Sequence, residues 1–568
     1  MSCIRGIIKP HRSRDWRFGR VFAIVLGAVG WSLYAAGVFR GDLVNAGGWG
    51  LVGQFLAAAT RPEVGAEFLL LTCDAALKTL AFAAVGTFFS LIVGFVGGIF
   101  CSEVWWESVL GVGVRVPWLV VRGLLAVPRA IHELIWGLFF INIFGLDPLV
   151  AVLAIAIPFG AITAKVFAEI LDEIPRQPML ALLGSGVPPL SAFMYGLIPL
   201  AFGNWLSYAF YRFECSIRAA AVLGIIGAGG LGYQIFLSLQ SLRYEEMWTL
   251  LIALVVLSGC TDLWSGLLRR QIGAPSRLDL NVLQVKSLQG GSNSYRAAGG
   301  DRVIRFSLFG VVVLLLFSFW YVQADFSKVW MPRTGGLLLK VAQEAFPPDF
   351  SQLGQLFTLC SQTLAMSILA IAFAGCGGII FSFLAANNLL LPGGILDAGG
   401  HKNRWWGIGI LVLSRFFLLF TRAIPAPIWA LIFLFVLFPG ILPGAIALGI
   451  HNLGILGRLM AEVTENLDDR PAKSLTALGA SGAQVFLYGI LPATMPKFIA
   501  YILYRWETCI RATVIVGLVG AGGLGRLLSE QISSFDYPGV VATLLCFICL
   551  TFAVDMVSAA LRRSLFSS

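Results

Sequence analysis

The chain has 568 residues, 58% of them hydrophobic and 12% charged, with a mean hydropathy of +0.85. Soluble globular proteins carry about 25% charged residues, so this composition excludes an ordinary soluble domain and describes a lipid-soluble chain. The net charge of +10 does not argue for nucleic acid, because the basic residues gather at the N-terminus, the middle and the C-terminus, where the positive-inside rule puts them.

Residues 1–20 carry Arg5, Lys9, Arg12, Arg14, Arg17 and Arg20. The apolar run 21–39 that follows is long enough to cross a bilayer, so it reads as a first span with a cytoplasmic N-terminus rather than a cleavable signal. Further apolar runs at 76–100, 116–144, 146–166, 193–211 and 246–267 bring the first half to six spans. The second half repeats the count at 304–324, 359–385, 407–437, 440–457, 486–504 and 540–560. The third run of each set is interrupted by Pro128 or Pro425, which predicts a kink or a split helix. Between the halves, residues 269–303 are polar and basic (Arg269, Arg270, Arg277, Lys286, Arg296, Arg302), which marks a cytoplasmic linker. Three regions are therefore expected: a first repeat over 1–268, the linker, and a second repeat over 304–568.

The halves are copies. A shift of 293 residues lays 169–270 on 462–563 without a gap, matching Glu169 to Glu462, Pro178 to Pro471, Gly186 to Gly479, Tyr195-Gly196 to Tyr488-Gly489, and Pro199 to Pro492. Tyr211-Arg212, Glu214 and Ile217-Arg218 fall on Tyr504-Arg505, Glu507 and Ile510-Arg511, and Asp262 falls on Asp555. Shared hydrophobicity does not produce such a register in charged, proline and glycine positions. An even span count per copy makes the repeats parallel, related by an axis along the membrane normal. The expected fold is an all-α integral membrane protein of two tandem parallel repeats of about six transmembrane helices each. Loops 167–192 and 460–485 then face the cytoplasm, and the segments from 212 and 505 face the other side.

Metal and redox chemistry find no constellation. The ten cysteines sit mostly in apolar runs, Cys546-x-x-Cys549 included, where cysteine acts as a small hydrophobe. His11, His132, His401 and His451 are far apart, so no metal site and no cofactor are expected. Gly227, Gly229 and Gly232, with their copies Gly520, Gly522 and Gly525, spell G-x-G-x-x-G, but between spans there is no βαβ unit to make it a nucleotide site. These glycines, with Gly230 and Gly523, are expected to pack helices closely or to bend a gate. No Walker-type phosphate loop occurs, so any ATPase is a separate subunit.

Two features carry functional expectations. The duplicated polar loops each hold a short amphipathic stretch, a glycine turn and a proline opening the next span, two rigid elements suited to a two-lobed partner. The duplicated Arg212-x-Glu214-x-x-x-Arg218 and Arg505-x-Glu507-x-x-x-Arg511 place an acid and an arginine four apart on one helical face, an ordinary intrahelical pair or a pathway for an anion. Ionisable groups beside apolar spans face a cavity or each other, and guanidinium suits an oxyanion. Arg218 and Arg511 are the candidate pathway residues, with Glu214 and Glu507 beside them.

The loops from Glu169 and Glu462, each with nine residues between its glycine (Gly186, Gly479) and the closing Gly196-Leu-Ile-Pro199 or Gly489-Ile-Leu-Pro492, resemble the EAA coupling loop of ABC-importer permeases. Tyr504–Gly525, Tyr211–Gly232 and Ile424-Pro425…Trp429-Ala430-Leu431 resemble the phosphonate/phosphite branch. The family's Glu-Ala pair is replaced by Leu180-Ala181 and Lys473-Ser474, and the first copy reads Leu183-Gly184-Ser185-Gly186. The resemblance implies a permease with two units fused, in the bacterial cytoplasmic (inner) membrane. Its implied partners are two copies of a cytoplasmic ABC ATPase, an extracytoplasmic solute-binding protein, membrane lipid and an anionic solute such as phosphonate, phosphite or phosphate. Coupling would fall on Glu169, Pro178, Gly186, Pro199, Glu462, Pro471, Gly479 and Pro492. An ion-coupled transporter or channel would instead need acidic relays within spans, for which only Asp262 and Asp555 offer themselves. A lipid-modifying enzyme would need clustered histidine, cysteine or acid.

Overall fold

The computed structural model describes residues 12–39, 43–45, 47–109, 111, 116–272, 300–391, 394 and 404–566. Arg5, Lys9 and the linker residues Arg277, Lys286 and Arg296 lie outside them. The described residues are helical throughout, apart from turns and one isolated bridge between Val44 and Leu437. Among them, nine helices are long and apolar enough to cross a membrane, or eleven if each of two bent pairs is one span. The shorter apolar stretch Ala23–Ala35 stands where the first span is expected.

The first half runs through Arg12–Ala35, Ala66–Cys101, the pair Val116–Ala130 and Glu133–Phe144, Pro148–Glu173, two short helices, Ile198–Leu223, Gly230–Gln240 and Tyr244–Ile272. The second runs in the same order through Gly300–Val322, Leu353–Ala385, Arg404–Ala423 with Ala426–Val436, Ile441–Glu465, the short Arg470–Ala477, Leu491–Val516, Gly523–Ser533 and Tyr537–Phe566. The expected kink in the third span is an 83° bend. It falls at Ile131-His132 rather than at Pro128, which stays inside the helix Val116–Ala130. In the second half Pro425 does sit at the break and starts Ala426–Val436.

Small residues set the helix spacing. A Cβ on Gly94 would lie 2.4 Å from Thr163 Cγ2, and one on Gly98 2.7 Å from Phe167 Cβ, so Ala66–Cys101 and Pro148–Glu173 touch almost backbone to backbone, as membrane helices do where small side chains line the seam. Each half also lends its first helix to the other. Val29, Leu33 and Ala36 pack with Ala365, Met366 and Leu369 of the second half, while Phe319 and Val322 pack with Phe82 and Val85 of the first. Phe319 meets Phe88 edge-on at 5.6 Å between ring centroids, and Tyr321 donates its hydroxyl to Asp74. Lys328, just past that helix, pairs with Asp147, which holds the ammonium above its ordinary range. The halves are interlocked rather than abutted.

One ion pair is repeated in register. Arg122 bonds Asp172 at 3.3 Å and the Cys101 carbonyl at 3.0 Å; its copy Arg415 bonds Glu465 and the Ala385 carbonyl, the latter at 3.0 Å. Each arginine ties the ends of three spans at the level of the polar loops. Replacing Arg415 by Met would leave the half-buried Glu465 carboxylate with the Asn387 N–H but without its cation, and the Ala385 carbonyl without the arginine. We expect a loss of about 1–3 kcal/mol, seen as a lower melting midpoint of the detergent-solubilised protein; an unchanged midpoint contradicts it.

Candidate functional site

The charged motif lies within the membrane body, not outside it. The apolar runs end at 211 and 504, but the helices continue to Leu223 and Val516. Arg212 is the fifteenth of the 26 residues of Ile198–Leu223, about 21 Å along at 1.5 Å per residue, well inside a helix that belongs to a bent pair long and apolar enough to cross a membrane. The expectation that the segments from 212 and 505 leave the membrane is therefore corrected. These charges are tolerated in mid-span because they face a cavity and one another.

That cavity, about 330 Å³, is lined by both halves. Its walls pair in register: Tyr208 with Tyr501, Arg212 with Arg505, Arg218 with Arg511, Arg129 with Arg422, and Pro158-Phe159 with His451-Asn452. The guanidinium of Arg212 lies over the Phe159 ring, 4.5 Å from its centroid, and its Nε is buried without a hydrogen-bond partner. Its copy Arg505 donates through Nε to Asn452 Oδ1 at 2.5 Å. His132 and Glu133, at the bend, pair at 2.9 Å.

The two candidate arginines differ in company. Arg218 approaches Glu214 at 3.7 Å, the expected i,i+4 pair. Arg422 from the other half reaches the same carboxylate at 3.8 Å and Asp262 at 2.5 Å. In the second copy Glu507 pairs with Arg562 at 2.6 Å, and among the described residues Arg511 donates to the carbonyls of Glu507 (3.2 Å) and Arg129 (3.5 Å). Asp262, which the sequence offers only as a possible relay within a span, grips an arginine of the opposite half.

Beyond the arginines each helix breaks at the glycines. Gly227 and Gly520 have φ of +98° and +102°, and Gly229 and Gly522 +93° and +78°, a left-handed region that side chains disfavour. The first break turns the chain by 55°. The restart is anchored by side chains of the long second span, Thr79 Oγ1 accepting from Leu231 N (2.8 Å) and Thr363 Oγ1 from Leu524 N (3.0 Å). Gly230 and Gly523 lie against those same threonines, and Gly232 and Gly525 against the preceding helix.

The polar loops form two hairpins. Gln177–Gly184 and Arg470–Ala477 each carry proline in the first turn (Pro178, Pro471), close through Gly186 (φ +82°) and Gly479 (φ +85°), and lead into spans opened by Pro199 and Pro492. The bond from Val187 N to Leu182 O (3.1 Å) and from Ala480 N to Leu475 O (3.1 Å) makes each glycine a helix C-terminal cap. On the second hairpin Lys473 pairs with Asp469 at 2.5 Å and holds that carboxyl below its usual range. Glu169 and Glu462 do not belong to these hairpins. They sit in the last turns of the preceding spans, paired to Lys165 (3.6 Å) and Arg458 (3.0 Å). These i,i+4 pairs carry the helix past the end of the apolar run.

Arg129 and Arg422 line the cavity, and motif reading passed them over. Their signal was the same 293-residue shift, which matches Arg129-Ala-Ile131 to Arg422-Ala-Ile424 and Arg122 to Arg415.

A duplicated helical body with a basic cavity between its halves and a hairpin on each defines a membrane transport component. The chain belongs to the family described as binding-protein-dependent transport system inner membrane component, whose model matches residues 109–273 and again 391–567. It is a multi-pass inner-membrane protein and an ABC-importer permease, a class not itself catalytic. It is similar to the phosphate-import permease protein PhnE of Mycolicibacterium smegmatis, 28% identical over 453 residues that cover 78% of each chain. It is also similar to the phosphite transport system permease protein PtxC of Stutzerimonas stutzeri, 34% identical over 45% of this chain and 86% of the relative. A putative cryptic phosphonate transport system permease protein of Escherichia coli, PhnE2, is 38% identical over 118 residues, 21% of this chain and 97% of that one. No solved structure matches.

Proposed function

We propose that this chain forms the whole two-lobed pore of an importer for a small phosphorus oxyanion: phosphate, phosphite or a phosphonate. The observation that carries this reading is the central cavity, whose lining holds seven arginine and lysine side chains against four carboxylates. A planar guanidinium gives paired donors to a tetrahedral oxyanion, and relatives named for phosphate, phosphite and phosphonate agree with that charge. A solute-binding protein would deliver the anion to the outer face, and ATP would be hydrolysed on two copies of a separate cytoplasmic subunit, one seated on each hairpin. The hairpins suit a protein partner: Tyr195 and Tyr488, in register, are 79% and 75% exposed, and Leu478 is 84% exposed. Exposed apolar groups on otherwise polar loops mark interaction surfaces. Closure of the ATPase pair would push Gln177–Gly196 and Arg470–Ile490 together and rock the spans about the glycine breaks.

The test is reconstitution with the ATPase and binding protein in liposomes, with uptake of labelled phosphate, phosphite and methylphosphonate measured. Uptake of at least one is expected, and uptake of none overturns the substrate class. Cysteines at 186 and 479 are expected to cross-link to the ATPase. Labelling of those sites from outside intact cells refutes the orientation.

A further inference from the structure

Both halves contribute the same arginines to the cavity, yet their electrostatic circumstances differ. On one side Arg422 and Arg218 converge on two carboxylates, Glu214 and Asp262, one of them at 2.5 Å. On the other side, among the described residues, neither Arg129 nor Arg511 has a carboxylate within ion-pair distance: Arg511 hydrogen-bonds backbone carbonyls, and Asp555 acts on both arginines only at longer range. The nearby acids are spoken for or apart: Glu507 by Arg562 at 2.6 Å and Glu169 by Lys165 at 3.6 Å. Asp555, the copy of Asp262, forms no ion pair among the described residues, and its Oδ1 is buried without a hydrogen-bond partner.

We propose that the oxyanion's seat is one-sided: it lies between Arg129 and Arg511, while Arg422 and Arg218 form a neutralised strut that holds the halves together. This rests on the transport reading above and deepens it. Arg511 Nη1 lies 3.5 Å from the Arg129 carbonyl, so the two residues are neighbours across the interface between halves. Two guanidinium groups without a bound carboxylate in a low-dielectric cavity repel each other, and an anion between them removes that cost. Their free N–H donors match the oxygens of a tetrahedral phosphorus centre bidentately. Arg422 cannot serve in the same way, because withdrawing it would strand Asp262 and Glu214 in the interior.

The experiment uses the chain assembled with its ATPase and binding protein in liposomes, with inorganic phosphate, phosphite and methylphosphonate as probes and uptake counted per assembled complex. Arg129→Gln and Arg511→Gln are each expected to lower uptake at least tenfold. Arg422→Gln is expected to lower the melting midpoint and the yield, with a loss of uptake per assembled complex several-fold smaller than that of Arg129→Gln, and Arg422→Gln with Asp262→Asn to recover part of the midpoint. If Arg129→Gln does not accumulate, Arg129→Lys, which keeps charge but loses the fork, carries the test with a several-fold loss. Wild-type uptake in the Arg129 and Arg511 variants overturns the seat and leaves the transport reading standing. Equal losses per complex in Arg129→Gln and Arg422→Gln overturn its one-sidedness. No uptake by the wild-type complex overturns the transport reading and the seat with it.

Discussion

Gly232→Ala is expected to remove most of the folded protein from the membrane. A Cβ at this position would stand 1.7 Å from the carbonyl oxygen of Ala221 and 2.7 Å from its carbonyl carbon. Both atoms belong to the last turn of Ile198–Leu223, so relief requires that turn to unwind or the hairpin beyond the 55° break to lift away. Overpacking against movable side chains costs about 1–3 kcal/mol; with backbone on the receiving side the cost should exceed about 3 kcal/mol, a large share of the whole stability. The copy behaves alike, since a Cβ on Gly525 would stand 2.3 Å from Val514 O. Gly229→Ala is the control: φ +93° with ψ −171° is a conformation nearly reserved to glycine, but nothing lies within 4 Å, so only the conformational cost of about 1–3 kcal/mol remains. Membrane level and melting midpoint decide between them. Wild-type values for Gly232→Ala would show that the close approach is not needed.

The duplication, the six-span pattern and the hairpin turns were legible because each left a mark that hydrophobicity alone cannot leave: prolines, glycines and charges in a fixed register. The ends of the spans were not. Run length stops at the first charged residue, so Arg212 and Arg505 were placed outside helices that in fact continue to Leu223 and Val516. Nothing in a hydropathy profile says that a mid-helix charge has a cavity to face. Glu169 and Glu462 were read as loop residues for the mirror reason, since helices with i,i+4 pairs outlast their apolar runs. The cavity's first wall was missed because the 293-residue register was followed no further towards the N-terminus than Glu169, although it reaches Arg122 and Arg129. Earlier still the offset changes, with Thr79 and Gly94 matching Thr363 and Gly378 at 284 residues. The exchange of first helices between halves has no local signature, because either half offers an equally apolar seam.

Gly479→Leu is expected to leave the permease folded and to abolish most transport. The residue closes Arg470–Ala477 with φ +85°, and a Cβ there would meet nothing within 4 Å. Folding therefore bears only the left-handed strain of about 1–2 kcal/mol, at an exposed turn next to Leu478. What changes is the outer contour of the hairpin, where a branched side chain would stand between the permease and the partner that rests on it. Uptake per molecule should fall at least tenfold, with membrane level near wild type and stimulation of the ATPase by loaded binding protein lost. Gly479→Ala carries the same backbone strain with a single methyl, so it should keep much of the activity; an equal loss in both would assign the effect to the turn's conformation instead. Gly186→Leu should be milder. Its turn has nearly the same geometry, φ +82° in open space, but its hairpin departs further from the family pattern, with Leu183-Gly184-Ser185 before the glycine. Normal uptake in Gly479→Leu would mean that the partner does not seat on this hairpin.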